Sequence, residues 1–138
     1  RYISKLSGPL LDRIDLQIEV DSISYDEFRS SELNESSESI KARVEKARTV
    51  QRNRYVGTST KTNDEMTNAQ VRKYCELDKA GEELLKNAFI KLNLTARATN
   101  RVLKVSRTIA DLDGSQDIQP KHVAEAIQYR SLDRKYWD

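Results

Sequence analysis

The sequence has few cysteine and histidine residues, the types that form disulfides and structural zinc sites. Cys75 is its one cysteine and His122 its one histidine. A single cysteine excludes a disulfide within the chain and is compatible with a reducing, intracellular compartment. A structural zinc site needs four ligands, drawn mostly from cysteine and histidine, and these two residues cannot supply them. We therefore predict no metal site in the chain.

The sequence also lacks long apolar runs and an excess of charge of one sign. No segment approaches the roughly 20 apolar residues that cross a bilayer, and no charged-then-apolar leader is present, so we expect a soluble, cytoplasmic protein without a membrane partner. Lys and Arg number 24 against 22 Asp and Glu, which gives a net charge of +2. Such a balance does not by itself predict a nucleic-acid binder, and that function would need local clusters of positive charge.

The length of the chain suits one domain. Its 138 residues are 37% hydrophobic, which is enough for a modest core. No internal repeat divides the sequence. Because the chain begins at Arg1, within a segment patterned like ordered protein, we expect it to be a fragment of something longer.

A β-strand pattern lies close to the start of the chain. Ile14, Leu16, Ile18 and Val20 alternate with polar residues, which is the period of a strand with one buried face. No second convincing strand follows, and a lone strand leaves its backbone groups unpaired. We therefore predict an orphan strand, headed by Arg13, whose sheet lies elsewhere.

The remaining sequence is patterned as a serine-rich, acidic connector at residues 26–39 and then four or five helices. The residues that mark the helix starts are Ser36 or Ser37, Thr67 with Gln70, Asp78, Thr95 and Pro120. On the first helix Ile40, Val44 and Ala47 share one face, and similar apolar spacing recurs on the later helices. We therefore predict a mainly α fold, a helical bundle preceded by the one strand.

A self-contained catalytic site is missing from the sequence. No serine or cysteine has a positioned histidine, and we predict that His122 is a surface residue without a partner. The stretch "GTSTKT" at residues 57–62 lacks a second glycine before Lys61, as well as the strand and helix of a phosphate loop. Asp111 and Asp113 lie at a helix end without other metal ligands nearby.

Two helices carry clusters of positive charge. After Thr95, the side chains of Arg97, Arg101 and Lys104 share one face, and Arg97 lies near the positive end of the helix dipole, where an anion is favoured. On spacing alone, a solvated charged face explains this stripe better than a ligand site.

The helix after Ser36 is more basic still. Its cations point around the whole circumference and have no interleaved aromatic residues, so ordinary solvation is favoured. Nucleic-acid contact is the alternative, through Arg43, Arg48 and Arg52.

Four stretches together resemble a known family. They are "SGPLLDRIDLQIEV", "ESSESIKARVEKAR", "TARATNRVLKVSRTIADLDGS" and "IQPKHVAEAIQYR". In order and rough spacing they are similar to the C-terminal part of the YifB/ComM proteins, the magnesium-chelatase-like branch of the AAA+ ATPases, and the resemblance covers nearly the entire chain. The sequence departs from the family in a longer polar loop at residues 56–66 and at Ser106, where alanine is more usual.

The resemblance implies a division of the chain and a role for Arg13. Residues 1–25 would be the end of the ATPase core with its last strand, and residues 40–138 the helical lid domain. Arg13 would be the arginine finger, presented to the γ-phosphate of ATP held by a neighbouring subunit. Asp12 or Asp15 would hold Arg13 by a salt bridge when no neighbour is present.

The resemblance also implies nucleotide contacts from the lid. "TARATNR" is similar to the second-sensor segment, with Arg97 as the residue that contacts nucleotide in its own subunit or in a neighbour. Arg101 is a weaker candidate because it lies one turn deeper.

For the full-length parent, the resemblance implies ATP and Mg²⁺ as cofactors and neighbouring copies in a homo-oligomeric ring, expected to be a hexamer. DNA is a further expected partner, with a role in DNA processing such as branch migration. The chain itself has no phosphate loop, so we expect it to bind no cofactor and hydrolyse no ATP alone. Two alternatives stay open: a stand-alone helical module that binds nucleic acid, and a protein-interaction module without an ATPase role.

Overall fold

The computed structural model describes residues 7–30, 32 and 34–130, and within them the fold is mainly helical, as predicted. The helices are α1 (Gly8–Asp12), α2 (Tyr25–Arg29), α3 (Ser37–Arg54), α4 (Asn68–Tyr74), α5 (Lys79–Lys91), α6 (Ala96–Leu112) and α7 (Pro120–Gln128), with a 3₁₀ turn at Asn63–Glu65. Residues 1–6 and 131–138 of the predicted domains, and residues 31 and 33 of the predicted connector, lie outside the described residues. The short helix α2 lies almost entirely within that connector.

Local side-chain chemistry sets the helix starts, and the predicted caps are confirmed. Ser36, Asp78 and Thr95 each accept a hydrogen bond from a free backbone N–H in the first turn of α3, α5 and α6. Thr67 and Gln70 form the reciprocal capping box of α4. Each bond satisfies a donor that the helix itself leaves unpaired, so the helices begin where the sequence provides such a side chain.

The core is organised around α6. This helix packs against α3, α4 and α7, and α5 packs against α7. Ala98, Val102 and Ala110 form its buried face, and Val123 of α7 is fully buried against the same core. α6 ends just before Gly114, whose φ of +68° lies in the left-handed region that glycine adopts without strain. The first turn of α6 is therefore held at one end of a rigid, packed element.

The orphan strand predicted for residues 14–20 is wrong. Among the described residues the one β-type pairing is an isolated bridge between Leu77 and Ile118, and residues 14–24 follow an irregular path. Ile18 and Val20 remain 62% and 85% exposed. Apolar and polar residues do alternate in this segment, but a strand also needs a second strand to satisfy its backbone, and the described residues provide none.

The buried face predicted for the first half of α3 is also incomplete. Ala47 is buried, whereas Ile40 and Val44 are 45% and 37% exposed. The side chains that α3 buries, Ala47 and Gln51, both belong to its C-terminal half. The N-terminal half therefore extends beyond the core with its apolar and basic residues in solvent.

Candidate nucleotide-contacting surface

Arg13 lies at the C-terminal end of α1, where its backbone N–H donates to the carbonyl oxygen of Leu10 over 3.1 Å. Its side chain is exposed and makes no ion pair or hydrogen bond within the described part of the chain. The prediction that Asp12 or Asp15 holds Arg13 is wrong. Both carboxylates are engaged elsewhere: Asp12 accepts from Thr95 over 3.1 Å, and Asp15 accepts from Arg101 over 2.5 Å.

The segment that carries Arg13 is also fastened to the end of α7. Arg130 has only 1% of its surface exposed, and its Nη1 donates to the carbonyl oxygen of Ile14 over 2.6 Å. The backbone N–H of Gln17 donates to the carbonyl oxygen of Tyr129 over 2.9 Å, and the side chain of Leu11 is buried. Contacts to α6 and α7 thus hold the backbone on both sides of Arg13, while its guanidinium faces solvent.

Arg97 occupies the first turn of α6, as predicted. Thr95 caps this turn by accepting from the N–H of Ala98 over 3.0 Å. The Arg97 side chain is exposed and has no partner among residues 7–30, 32 and 34–130. Because unpaired N–H groups and the helix dipole make the start of a helix electropositive, an anion would be stabilised here by Arg97 and by the helix itself.

The other two cations of the predicted stripe are already engaged. The ion pair of Arg101 with Asp15 is partly exposed, with 28% and 47% of the side chains accessible. The Nε of Arg101 is buried without an acceptor among the described residues. The ammonium of Lys104 donates to the carbonyl oxygen of Asp64 over 2.9 Å. The structure therefore brings Arg97, Arg101 and Lys104 onto one face, with Arg97 as the member of this stripe that has no partner in the described residues.

A groove of about 880 Å³ runs along this face. The basic stripe lines it together with Arg43 of α3 and Lys121 of α7, and Val105, Ile109 and Leu112 of α6 contribute apolar surface. Carboxylates line it as well, namely Asp15, Asp64, Asp113 and Glu125. Mixed charge makes the groove as a whole less suited to a polyanion than its Arg97 end, where the helix dipole adds to the cation.

His122 is buried and has two partners, so its prediction as a surface residue is wrong. Its Nδ1 accepts from the backbone N–H of Gln119 over 2.9 Å, and its Nε2 lies 2.8 Å from Asp113. Lys121 also contacts Asp113, over 3.1 Å. Hydrogen bonds from His122 and then Lys121 lower the pKa of the Asp113 carboxyl. His122 thus caps α7 in the position that glutamate or glutamine fills in a capping box.

A buried network at the opposite end of α6 was not predicted. Asp111 has no exposed side-chain surface, and Arg54 contacts both of its oxygens, over 2.8 and 2.6 Å. Arg107 donates to Asp111 over 3.2 Å, and Asn63 also donates to Asp111, over 2.9 Å. The hydrogen bond to Asp111 raises the pKa of Arg54. The spacing of Arg107 and Asp111 by four residues was the one local signal, and the network serves to join α3 and the 3₁₀ turn to α6.

The arginines proposed for nucleic-acid contact lie on the exposed surface of α3. Arg43 pairs with Glu35 over 2.6 Å, and Arg52 donates to Thr49 over 2.9 Å. Arg48 is exposed and unpaired within the described ranges. Arg43 reaches the groove, and Arg48 and Arg52 do not line it. The structure therefore does not gather these three residues into one site.

The described residues also bear on metal binding and on membrane insertion. They contain no group of three or more His, Cys, Asp or Glu side chains placed to hold a metal ion. Within the same residues, every helix is too short or too polar to cross a bilayer.

Two family models and several relatives match this chain. The family model "Magnesium chelatase, subunit ChlI C-terminal" matches residues 34–130, and "Magnesium chelatase, subunit ChlI" matches residues 1–28. The chain is 39% identical over 135 residues to the competence protein ComM of Haemophilus influenzae and 38% identical over 135 residues to the protein YifB of Escherichia coli. Each match covers 97% of this chain and 26% of the relative. The chain therefore belongs to the magnesium chelatase ChlI C-terminal family, as a member of its YifB/ComM type.

Proposed function

We propose that this chain is the lid, with the end of the core, of an ATPase in which Arg13 and Arg97 contact the phosphates of ATP. One observation carries the proposal: Arg13 is exposed between two carboxylates that are both bound to other residues. Its charge is therefore available to an anion from outside the described chain. A guanidinium suits this role because its planar, permanently charged fork can contact two phosphate oxygens at once.

Arg13 is proposed to act on the nucleotide of a neighbouring subunit as an arginine finger. When bound, ATP supplies a γ-phosphoryl group whose negative charge is spread over its equatorial oxygens during transfer. Arg13 would neutralise that charge, an effect of about 10³ to 10⁵ in rate in well-studied phosphoryl-transfer enzymes. The exposed position of Arg13 on an anchored backbone supports this role.

Arg97 is proposed to bind nucleotide from the first turn of α6, and Arg101 is the weaker candidate. The electropositive helix start supports Arg97, because cation and dipole would act on the same anion. The ion pair with Asp15 weakens the case for Arg101. When the γ-phosphate leaves, both arginines lose a contact, so the position of the lid would follow the state of the nucleotide.

The full-length protein is proposed to be an ATP- and Mg²⁺-dependent ring, a hexamer, that processes DNA in the cytoplasm. Family membership and the relative named as a competence protein support this proposal. The chain spans 26% of the length of these relatives. We propose that the phosphate loop and the Mg²⁺ ligands lie in the remaining part of the full-length protein.

The test is Arg13→Ala in the full-length protein. We expect ATP turnover to fall by about 10³-fold or more while ATP affinity stays nearly unchanged, because a finger acts on the transition state. Steady-state hydrolysis and nucleotide titration measure the two quantities. Arg29→Ala, which removes another exposed arginine, is the matched control and should leave both unchanged. Turnover of Arg13→Ala equal to that of the control would refute the assignment.

A second candidate function is nucleic-acid contact through α3. The observation in its favour is that the N-terminal half of this basic helix extends beyond the core, where a phosphate backbone can reach it. A protein-interaction role for the exposed Ile40 and Val44 is the remaining alternative.

A further inference from the structure

The surroundings of Arg13 assign a role to two carboxylates, and this inference rests on the proposed function. We infer that Asp12 and Asp15 are positioning residues that fasten the Arg13 segment to the first turns of α6. Since α6 also carries Arg97, the two exposed arginines are presented as one unit. A change in the position of α6 would then move Arg13 with it.

The contacts with α6 form on both sides of Arg13 along the chain. Asp12 accepts from the hydroxyl of Thr95, the residue that caps α6 two positions before Arg97. Asp15 pairs with Arg101, one turn after Arg97. The residue before Arg13 and the residue two positions after it are thus attached to the turns that flank Arg97.

Independent support comes from α7, which contacts the same backbone. Arg130 donates to the carbonyl oxygen of Ile14 and lies 3.7 Å from Asp12. Each contact is weak alone, but contacts from α6 and from Arg130 at three of the four positions 12–15 restrict the direction in which Arg13 can point. Orientation matters because a displacement of about 1 Å in a reacting group can cost about 10²-fold in rate.

The first experiment measures steady-state ATP hydrolysis by the full-length protein carrying Asp15→Asn. The substitution keeps the size of the side chain and removes its charge. We expect kcat to fall about 10- to 100-fold with little change in KM, because the finger would be present but poorly directed. Asp21→Asn, at another exposed aspartate of the same segment, is the matched control and should retain parental kcat. An unchanged kcat for Asp15→Asn would overturn the inference.

A double-mutant cycle with Arg101→Gln separates the tether from direct nucleotide binding. If Asp15 and Arg101 act through each other, the double variant loses no more kcat than the more affected single variant. If Arg101 instead binds nucleotide independently of Asp15, the two losses multiply, and the inference is wrong.

The third measurement does not depend on catalysis. Spin labels on Leu10→Cys and Ala96→Cys report the distance between α1 and α6 when labelled subunits are diluted into unlabelled protein. Cys75 is buried and its pKa is raised to about 11 by burial, so it does not compete for the label. We expect one narrow distance distribution, broadened by Asp15→Asn, and equal widths would contradict the tether.

The outcomes distinguish the two proposals. Loss of activity in Arg13→Ala with parental activity in Asp15→Asn leaves the finger in place and removes the positioning role. Parental activity in Arg13→Ala removes the finger itself, whatever the spin-label distances show about the tether.

Discussion

Asp111 is a charged residue whose side chain is fully buried. Its carboxylate is removed from solvent and accepts from Arg54, Arg107 and Asn63. A buried charge is tolerated only when its partners replace the hydrogen bonds of water. Removing the carboxylate would leave two arginines charged in an interior that solvates charge poorly. The network therefore acts as a structural pin between α3 and α6, and its arginines are not available for phosphate.

We expect Asp111→Asn to destabilise the protein by about 3–5 kcal/mol, because two largely buried arginines lose their counter-charge. Urea denaturation monitored by circular dichroism measures the free energy of unfolding. Asp117→Asn changes an exposed aspartate a few residues away and should stay within about 0.5 kcal/mol of the parent. A similar, small loss in both variants would contradict the structural role given to the network.

At the scale of elements, local chemistry explains what could be read from the sequence. Caps such as Thr95 involve residues three positions apart, so a single sequence contains the whole signal. The bonds of Asp12 and Asp15 join residues 83 and 86 positions apart, and no local pattern indicates them. The wrong prediction of a strand at residues 14–20 has the same explanation. Alternation of side chains is a local pattern, whereas the hydrogen bonds of a strand require a partner that is distant in sequence. The prediction that His122 is a surface residue is wrong because its imidazole occupies the capping position that glutamate or glutamine usually fills.

The exposed arginines of α3 give a prediction about DNA. If α3 is the nucleic-acid surface, replacing Arg43, Arg48 and Arg52 by glutamine weakens DNA binding and lowers the salt dependence of the affinity by about 0.9 per lost phosphate contact on duplex DNA. Fluorescence anisotropy of the full-length protein over a salt series measures both. The control with the same loss of three positive charges is Lys79→Gln with Lys86→Gln and Lys91→Gln on α5. Equal slopes for the α3 variant and the control would remove α3 as the DNA surface.

In the proposed ring of the whole molecule, residues of two neighbouring subunits form each ATP site. Arg13→Ala subunits retain their own nucleotide site but cannot complete that of a neighbour. Mixing them with parental subunits should therefore lower activity in proportion to the finger-deficient interfaces, even though every subunit still binds ATP. Hydrolysis measured against mixing ratio, after subunit exchange, tests this expectation.

The control for the mixing experiment uses Arg29→Ala subunits, which should not change the activity per parental site. The discriminating mixture pairs Arg13→Ala subunits with subunits that keep Arg13 but carry a separately inactivated ATP site. An arginine that acts on a neighbour should restore hydrolysis in this mixture, and no recovery would indicate that Arg13 serves only its own subunit.

The hydrogen bond from Arg130 to the carbonyl oxygen of Ile14 has a mechanical consequence. It joins positions 116 residues apart and so creates a short path for force between the start of the described chain and the end of α7. A force applied to the chain before α1 would pass directly to the end of α7, and the serine-rich connector and α3 would not be under tension. If the full-length protein converts ATP hydrolysis into motion, the length of the connector would limit how far the segments that it joins can separate. The Arg130–Ile14 hydrogen bond would then bear the force.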